Sequence, residues 1–405
     1  MKKTISNQLL YTIVNEFKDD VHRFNKSKLW SSYLSSGSHL WMDTGDFNTA
    51  QTLWSSEFSA LTTNNTLLNN EVQKGVYDLV ITKLASELRP DDENERVKEI
   101  GLCINAIHGL RLAKQFNCKV SVELHTDLAD DIEGTFDVGS RLYAICKDHF
   151  IIKVPFTAGG LLGARRLHDK GIPVNQTLGF STRQNVLASM IAKATYCNVF
   201  VGRIGAYFAN NKLGDDLMIG ERVTKETQKC LRKVNERGYA TTKLIAASIR
   251  SAKQLMHVVG ADVLTIPINV ISEASSEHIE ADHSSITETT EQLHPELVQQ
   301  LNLKHLWQVN DQEKELAKQL TRRVPSTAED MIALFNHYGS HDIFPTLNDE
   351  ELAHLKKDGK IPIHNKWASK IENFEIGIDT LLNRAGLYAF KNDQKALDDR
   401  IKTFL

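Results

Sequence analysis

Short apolar runs alternate with longer amphipathic segments between residues 38 and 270, and this alternation constrains the fold more than any other feature of the chain. Strands that are covered on both faces read as continuous apolar runs. Eight strand–helix alternations are typical of a closed parallel barrel. We therefore predict an α/β protein with TIM (β/α)8 barrel architecture. The eight runs are His39–Met42, Phe58–Leu61, Val120–Leu124, Phe150–Val154, Pro173–Leu178, Val199–Val201, Leu244–Ala247 and Val263–Ile266.

The segments between the runs have apolar residues at helical spacing. Helices are predicted over Leu102–Gln115, Gly134–Cys146, Ala158–Leu167, Arg183–Ala194 and Ile249–His257. The region after the sixth run is longer than usual and contains a charged helical pattern over Gly220–Arg237. Two hypotheses fit that pattern: a substrate cover at the C-terminal face of the barrel, or a solvated outer helix.

The chain on either side of these alternations has a different pattern. The first 24 residues predict an amphipathic helix, because polar side chains interrupt the apolar residues too often for a signal peptide. Ser272–Gln292 is polar and acidic and is typical of a linker. We expect an N-terminal helical segment (1–37), a catalytic barrel domain (38–290) and a helical C-terminal extension (291–405).

The extension contains local helix signals but no catalytic pattern. Ser326–Glu329 has the spacing of a capping box, and Gly339 follows as a helix terminator. Asn373–Asn383 and Asp393–Phe404 also carry apolar residues at helical spacing. Packing against the barrel, or a contact between subunits, is the expected role of this region.

Composition excludes several classes of protein. The formal net charge of −3 gives no general basic surface for nucleic acid. No apolar run approaches the ~18 residues that a membrane span needs. The five cysteines form no C-x-x-C pair and indicate free thiols in a reducing compartment, most simply the cytoplasm. His278 and His283 lie among acidic residues without further ligand spacing, so no metal site is predicted.

A lysine inside the fourth run is the first candidate for chemistry. Lys153 lies in the sequence His149–Thr157, which is otherwise almost entirely apolar. Burial disfavours an ammonium ion, and a neutral amine in a dry pocket attacks carbonyl carbon to form a Schiff base. The alternative is that Lys153 lies at the end of its strand and extends its charged amine into water, without a role in chemistry.

A glycine-rich turn follows this lysine and suggests a competing interpretation. Val154–Gly163 reads as strand, turn and helix start, as in a dinucleotide-binding fold. However, the next strand, within Ile172–Thr177, lacks the acidic ribose ligand of that fold. Gly159 and Gly160 are therefore expected to allow close approach of the backbone to a substrate, or tight helix packing.

Polar residues recur where the predicted strands end. In a TIM barrel these ends meet at the face that carries the chemistry, so the residues are expected to surround one site. The set combines acids, a lysine, amides, hydroxyl groups and arginines. Its members are Asp43, Asn64, Glu123, Lys153, Asn175, Thr177, Arg203, Ser248 and Arg250.

These residues lie in motifs that resemble those of the transaldolase family, Schiff-base enzymes that transfer a dihydroxyacetone unit between sugar phosphates. The motifs occur in the family's order and lie on the predicted strands. They are Asp43–Asp46, Thr62–Asn64, Val120–Glu123, Ile152–Pro155, Asn175–Thr177, Phe200–Ile204 and Ala247–Arg250. His125–Asp127 and Asn198 depart from the usual pattern, and Phe156–Gly160 is closer to the short aldolase branch. Residues 1–37 and about 310–405 have no recognised counterpart.

The resemblance implies a role for each catalytic candidate. Lys153 is the nucleophile on the ketose carbonyl, and Glu123 transfers protons through a water that Thr177 helps to hold. Asp43 takes the proton from the C4 hydroxyl of the donor when the C3–C4 bond breaks. Asp43–Asp46 also has the residue types that favour a tight turn, so a purely structural role in a turn is the alternative.

The resemblance also implies a set of substrate ligands. Asn64 and Asn175 bind hydroxyl groups of the three-carbon unit, although Asn at strand ends is also a common helix cap. Arg203 and Arg250, with Ser248, bind the phosphate of the substrate. The alternative role of the two arginines is to form surface salt bridges. Phe200 stands near the catalytic water, where phenylalanine is typical of transaldolases and tyrosine of fructose 6-phosphate aldolases.

Three functions follow from these residues. The first is a transaldolase of the pentose phosphate pathway with fructose 6-phosphate or sedoheptulose 7-phosphate as donor. The second is an aldolase that releases dihydroxyacetone, and the third is a non-enzymatic sugar-phosphate-binding barrel. The resemblance implies no metal and no organic cofactor, because the lysine serves as the electron sink. Sugar phosphates are the expected partners, and a homodimer and a monomer both remain open.

Overall fold

A computed structural model describes residues 5–17, 24–88, 92–214, 218–281, 293 and 295–405. Eight parallel strands in this part of the chain form one closed barrel in sequence order, and the last strand pairs with the first. The predicted TIM architecture is thus confirmed. The strands are β1 (His39–Asp43), β2 (Phe58–Thr62), β3 (Lys119–Glu123), β4 (Phe150–Pro155), β5 (Val174–Thr177), β6 (Tyr196–Phe200), β7 (Lys243–Ala247) and β8 (Val263–Pro267).

Helices precede the barrel and surround it. The helices up to the end of the barrel are α1 (Asn7–Glu16), α2 (Lys28–Ser35), α3 (Phe47–Leu53), α4 (Asn65–Gln73), α5 (Asp78–Glu87), α6 (Glu93–Phe116), α7 (Ile132–Ile145), α8 (Ala158–Asp169), α9 (Thr182–Leu187), α10 (Val201–Asn210), α11 (Ile219–Glu236), α12 (Ala252–His257) and α13 (Ile268–Glu277). As predicted, α1 is amphipathic, and it buries Leu10, Ile13 and Val14.

The C-terminal extension is helical as well. Its helices are α14 (Pro295–Gln300), α15 (Lys304–Trp307), α16 (Asp311–Arg322), α17 (Ala328–His337), α18 (Asp349–Asp358), α19 (Ala368–Glu372) and α20 (Ile378–Lys402). The extension packs against the barrel through α16, α17 and α20. Within the described residues, no helix has the length and apolar character required to cross a bilayer.

All eight strands differ from the predicted runs by at least one residue at an end, and the differences at β6 and β5 have a local cause. The strand β6 begins at Tyr196, three residues before the predicted start, because the buried polar Asn198 interrupts its apolar pattern. Val201 is not a strand residue but the first residue of α10. The strand β5 ends at Thr177, since the φ of +63° at Leu178 takes the backbone out of the extended region.

Several helix predictions also need correction. The helix over Arg183–Ala194 begins at Thr182, behind the N-cap Ser181, and becomes a π-helical turn at Ala188–Ala192. The helix predicted from Ile249 begins only at Ala252, because Ser251 is its N-cap. The predicted linker is helical up to Glu277, where α13 ends, and its residues 282–292, including His283, lie outside the described part.

The capping-box prediction in the extension is wrong by one residue. The N-cap of α17 is Thr327, whose side chain accepts a hydrogen bond from the Asp330 amide. Gly339 follows this helix with a φ of +72°, as a terminator should. The helical patterns predicted at Asn373–Asn383 and Asp393–Phe404 belong to one helix, α20. This helix does not include Phe374, because the φ of +59° at that residue is incompatible with a helix.

The charged helix after β6 is not a cover over the site. It is α11, which packs against α9, α10 and the barrel strands and buries Ile219, Val223 and Leu231. None of its described residues lines the site cavity. The helix is instead part of the outer ring of the barrel, with one face buried and the other solvated.

The glycine-rich turn after β4 serves helix packing. A Cβ atom at Gly159 would lie 2.3 Å from the Asp130 carbonyl oxygen, and one at Gly160 would lie 2.3 Å from that of Pro155. The first contact brings the start of α8 against the loop before α7, and the second brings it against the end of β4. Of the two roles expected for these glycines, tight packing is therefore the one that the fold uses.

Candidate active site

A cavity of about 150 Å³ opens at the C-terminal ends of the barrel strands. Eight of the predicted site residues line it, together with residues that the sequence analysis did not single out. The predicted ones are Asp43, Asn64, Lys153, Asn175, Thr177, Phe200 and Arg203, joined by Ser248 at the end of β7. The others are Thr62, Thr66, Leu67, Asn198, Ile245, Ala247, Thr265, Lys360 and Phe390.

Lys153 and Glu123 form a buried pair on neighbouring strands. They are direct partners in the register of β3 and β4, so the strand pairing fixes their proximity. Their side chains are only 6% and 4% exposed, and Lys153 Nζ lies 3.4 Å from Glu123 Oε2. Lys153 Nζ also donates a hydrogen bond of 3.1 Å to the Thr63 carbonyl oxygen. The amine is therefore shielded from solvent and directed into the cavity.

Asp43 is a half-buried carboxyl group that lines the cavity. Thr62 Oγ1 lies 2.8 Å from Asp43 Oδ1 and 2.6 Å from Thr265 Oγ1, which links β1, β2 and β8. Burial raises the pKa of Asp43, although Lys153 opposes that change. Burial likewise raises the pKa of Glu123, again against the charge of Lys153. Both carboxyl groups therefore bind a proton more readily than in water, as general acid/base catalysts do.

Two amides form the floor of the cavity. Asn175 Nδ2 donates to Ser121 Oγ, and Asn198 Nδ2 donates to Asn175 Oδ1, each over 3.0 Å. Asn198 is a site residue that the sequence analysis noted only as a departure from the family pattern. Asn64 is the N-cap of α4, which is the alternative role considered for it above, because its Oδ1 accepts a hydrogen bond of 2.9 Å from the Leu67 amide. Asn64 nevertheless also lines the cavity.

The hydroxyl of Thr177 is buried at the cavity wall. Its Oγ1 has no hydrogen-bond partner among the described residues. Since buried polar groups are normally hydrogen-bonded, such a hydroxyl is suited to bind a water or a ligand. Phe200 lies nearby at the end of β6, and its ring packs 4.8 Å from the guanidinium carbon of Arg203.

Arg203 and Arg250 are close to each other but differ in exposure. Arg203 is buried, whereas Arg250 is exposed and does not line the cavity. Burial lowers the pKa of Arg203 to about 10, and the charge of Arg250 contributes in the same direction. Arg203 Nη1 has no hydrogen-bond partner in the described part of the chain. Ser248 has a φ of +59°, which is unusual for a residue with a side chain and is typical of functional sites.

Helix α20 of the extension crosses the mouth of the cavity. Asn65 at the start of α4 donates to Gln394 Oε1 over 2.6 Å, and His125 Nε2 lies 3.1 Å from Asp398 Oδ2. The ring of Phe390 lies 6.0 Å from Lys153 Nζ. These contacts place an aromatic side chain of the extension next to the buried amine.

A buried arginine fixes the extension to the barrel. Arg183 of α9 is 1% exposed and lies 2.8 Å from Asp379, 2.6 Å from Asp342 and 3.2 Å from Glu313. The three carboxylates belong to the extension. Loss of one partner from a buried ion pair is strongly destabilising. The arginine therefore holds α20 in the position that covers the cavity.

No group of three or more His, Cys, Asp or Glu side chains in the described part of the chain is arranged to hold a metal. The charged groups at the cavity are instead the carboxyl group of Asp43, the buried pair of Lys153 and Glu123, and the cationic side chains of Arg203 and Lys360. This arrangement can form a covalent adduct with a carbonyl compound and can bind an anionic group of the same compound.

Comparison with known proteins gives a consistent result. A family model described as transaldolase/fructose-6-phosphate aldolase matches residues 40–338. The chain is similar to a transaldolase of Xanthomonas euvesicatoria pv. vesicatoria, with 30% identity over 58% of this chain and 74% of the relative. It is 35% identical to a probable transaldolase of Bacteroides fragilis, over 49% of this chain and 80% of the relative. A probable transaldolase of Dictyostelium discoideum is 27% identical over 73% of this chain and 93% of the relative.

Proposed function

Because this chain belongs to the transaldolase/fructose-6-phosphate aldolase family, we propose that it transfers a dihydroxyacetone unit between sugar phosphates through a Schiff base on Lys153. The donor is fructose 6-phosphate or sedoheptulose 7-phosphate. The acceptor is erythrose 4-phosphate or glyceraldehyde 3-phosphate. The observation that carries the proposal is the solvent-shielded Lys153 amine, 3.4 Å from Glu123 in a cavity that Asp43 also lines.

The proposed reaction begins at the amine of Lys153. The neutral amine attacks the C2 carbonyl of the ketose, and the carbinolamine loses water to form an imine. Asp43 takes the proton of the C4 hydroxyl while the C3–C4 bond breaks. The bonding electrons pass into the imine to give an enamine, and the remaining carbons leave as an aldose phosphate. The enamine then attacks the acceptor aldehyde, and addition of water releases the new ketose and the free amine.

Glu123 is proposed to transfer the protons of the imine-forming steps. Its raised pKa, which burial causes, brings the carboxyl group towards the working range of a general acid/base. Thr177 supports this role, because its buried hydroxyl lines the cavity without a protein partner among the described residues. A water held by Thr177 would connect the carboxyl group with the reacting carbon.

The substrate-binding residues are proposed on the same basis. Asn64 and Asn175 bind the hydroxyl groups of the three-carbon unit, and Arg203 with Arg250 and Ser248 binds the phosphate. Phe200 favours transfer over release of dihydroxyacetone, because a phenyl ring has no proton to give to the enamine. The enamine then persists until an acceptor aldehyde arrives.

The test is a transfer assay with fructose 6-phosphate and erythrose 4-phosphate. We expect sedoheptulose 7-phosphate as product and no turnover by Lys153→Ala. Glu123→Gln is expected to lower kcat about 10²–10⁴-fold, the usual contribution of a general acid/base. Glu71→Gln is the matched control, since Glu71 is also buried but pairs with Lys74 instead of Lys153.

Two results would reject parts of the proposal. Free dihydroxyacetone released from the donor alone, at the rate of transfer, would support the aldolase alternative. Full activity in Lys153→Ala would contradict the Schiff base and favour a barrel that only binds sugar phosphates. Glu71→Gln separates the loss of kcat expected in Glu123→Gln from a general loss of folding.

The wider setting is part of the proposal as well. A cytoplasmic location fits the free cysteines of the chain. Service in the pentose phosphate pathway follows from the proposed substrates. The division into residues 1–37, 38–290 and 291–405 stays a prediction. Formation of a homodimer also stays a prediction, which the molar mass in solution would test.

A further inference from the structure

One lysine of the extension lies at the cavity mouth. Lys360 follows α18 and lines the same cavity as Lys153. Its Nζ lies 3.5 Å from Thr66 Oγ1 and 3.8 Å from Asp393 Oδ2 on α20. The extension thus adds a cation to the cavity that Arg203 lines, near Arg250.

The ion pair of Lys360 is loose in comparison with those of its neighbours. Lys366 lies 2.5 Å from Asp358, and Lys370 is in close contact with Glu351. Charge-assisted hydrogen bonds normally measure about 2.7–2.9 Å, whereas Lys360 stands 3.8 Å from its carboxylate and its side chain is 44% exposed. The ammonium group of Lys360 can therefore turn from Asp393 to an anion at little cost.

The positive charges around the cavity mouth repel each other. Burial lowers the pKa of Lys360, and the charge of Arg203 lowers it further while Asp393 raises it. Arg203 is also affected by Arg250, and its Nη1 lacks a hydrogen-bond partner among the described residues. A bound dianion would relieve this repulsion and supply the missing acceptor.

We propose that Lys360 is a specificity residue that binds the phosphate of the sugar substrate together with Arg203 and Arg250. The inference rests on the proposed function for the identity of the substrate. It assigns to the extension a direct role in recognition, which the barrel motifs do not contain. Asp393 holds the lysine in place when the site is empty.

The experiment titrates inorganic phosphate into the full-length protein by calorimetry. We expect Lys360→Met to raise the Kd for phosphate about 10-fold, as loss of one charge-assisted contact does. The KM for fructose 6-phosphate should rise by the same factor. The KM for unphosphorylated fructose should rise less, because that sugar has no phosphate for the lysine to bind. Lys360→Arg should largely restore phosphate binding, because a guanidinium also binds phosphate.

Lys357→Met is the matched control, since Lys357 is an exposed lysine of α18 that does not line the cavity. It removes the same charge and should leave both constants unchanged. Equal phosphate affinity in wild type and Lys360→Met would overturn the inference, as would an equal loss in Lys357→Met. The calorimetric result does not depend on turnover, so it decides the role of Lys360 even if the protein transfers no sugar.

Discussion

The barrel and the C-terminal extension both contribute to the same cavity, but they place their residues by different means. Glu123 and Lys153 are neighbours because the register of β3 and β4 makes them so. Lys360 and Phe390 reach the cavity only because distant contacts dock the extension on the barrel. The rigid strands of the barrel therefore carry the groups for chemistry, whereas the extension shields the Lys153 amine and adds charge at the mouth of the cavity.

The largest effect is expected from breaking the docking of the extension. In Arg183→Met the carboxylates of Asp342, Asp379 and Glu313 lose their buried counter-charge. The free energy of unfolding should fall by about 3–5 kcal/mol. Urea unfolding of the purified variant measures this change.

An exposed arginine provides the control for that variant. Arg166 pairs with Glu133 at the surface, so Arg166→Met should cost at most about 1 kcal/mol. A similar small loss in Arg183→Met would mean that the buried cluster does not hold the extension, and the comparison between the two regions would lose its basis.

The carboxyl groups around Arg183 should respond to pH with opposite signs. Burial tends to raise the pKa of Asp342, but Arg183 and His305 together lower it below its ordinary value. Its contribution to stability is therefore present above pH 4 and is lost as the pH falls further. Burial raises the pKa of Glu313 in spite of Arg183, so its contribution is full below about pH 4 and declines as the pH rises.

Unfolding curves between pH 3 and pH 8 test these signs. Asp342→Asn should be less stable than wild type at neutral pH, by on the order of 1–3 kcal/mol, and the deficit should shrink in acid. Glu313→Gln should gain relative to wild type as the pH rises. Identical pH profiles for the two variants would contradict the opposite pKa shifts of Asp342 and Glu313.

The smallest effect concerns the contact between α20 and the phosphate site. A Cβ atom at Gly386 would lie 2.7 Å from Arg203 Nη1, so Gly386→Ala should displace the guanidinium group. We expect the KM for fructose 6-phosphate to rise about 10-fold, as for one lost hydrogen bond to a charged group. The unfolding free energy should change little, since better helix propensity offsets the crowding.

Gly205→Ala in α10 is the control, because a Cβ atom there would meet no atom within 4 Å. This variant should keep the KM of the wild type. An unchanged KM in Gly386→Ala would mean that α20 does not determine the position of Arg203.

The barrel was predictable because its signals are local. The apolar run Phe150–Val154 identifies β4, and parallel pairing then brings the strand-end residues to one face. Asn198 escaped prediction since a polar residue inside β6 breaks the apolar pattern. Lys360 and Phe390 carry no local signal at all, because the cavity receives them through contacts between segments far apart in sequence.

The most direct test of the account is intact-mass and peptide analysis after borohydride reduction in the presence of fructose 6-phosphate. We expect one stable adduct with the mass of a reduced three-carbon or six-carbon sugar unit, located on Lys153. Absence of an adduct, or an adduct on another lysine that persists in Lys153→Ala, would contradict it.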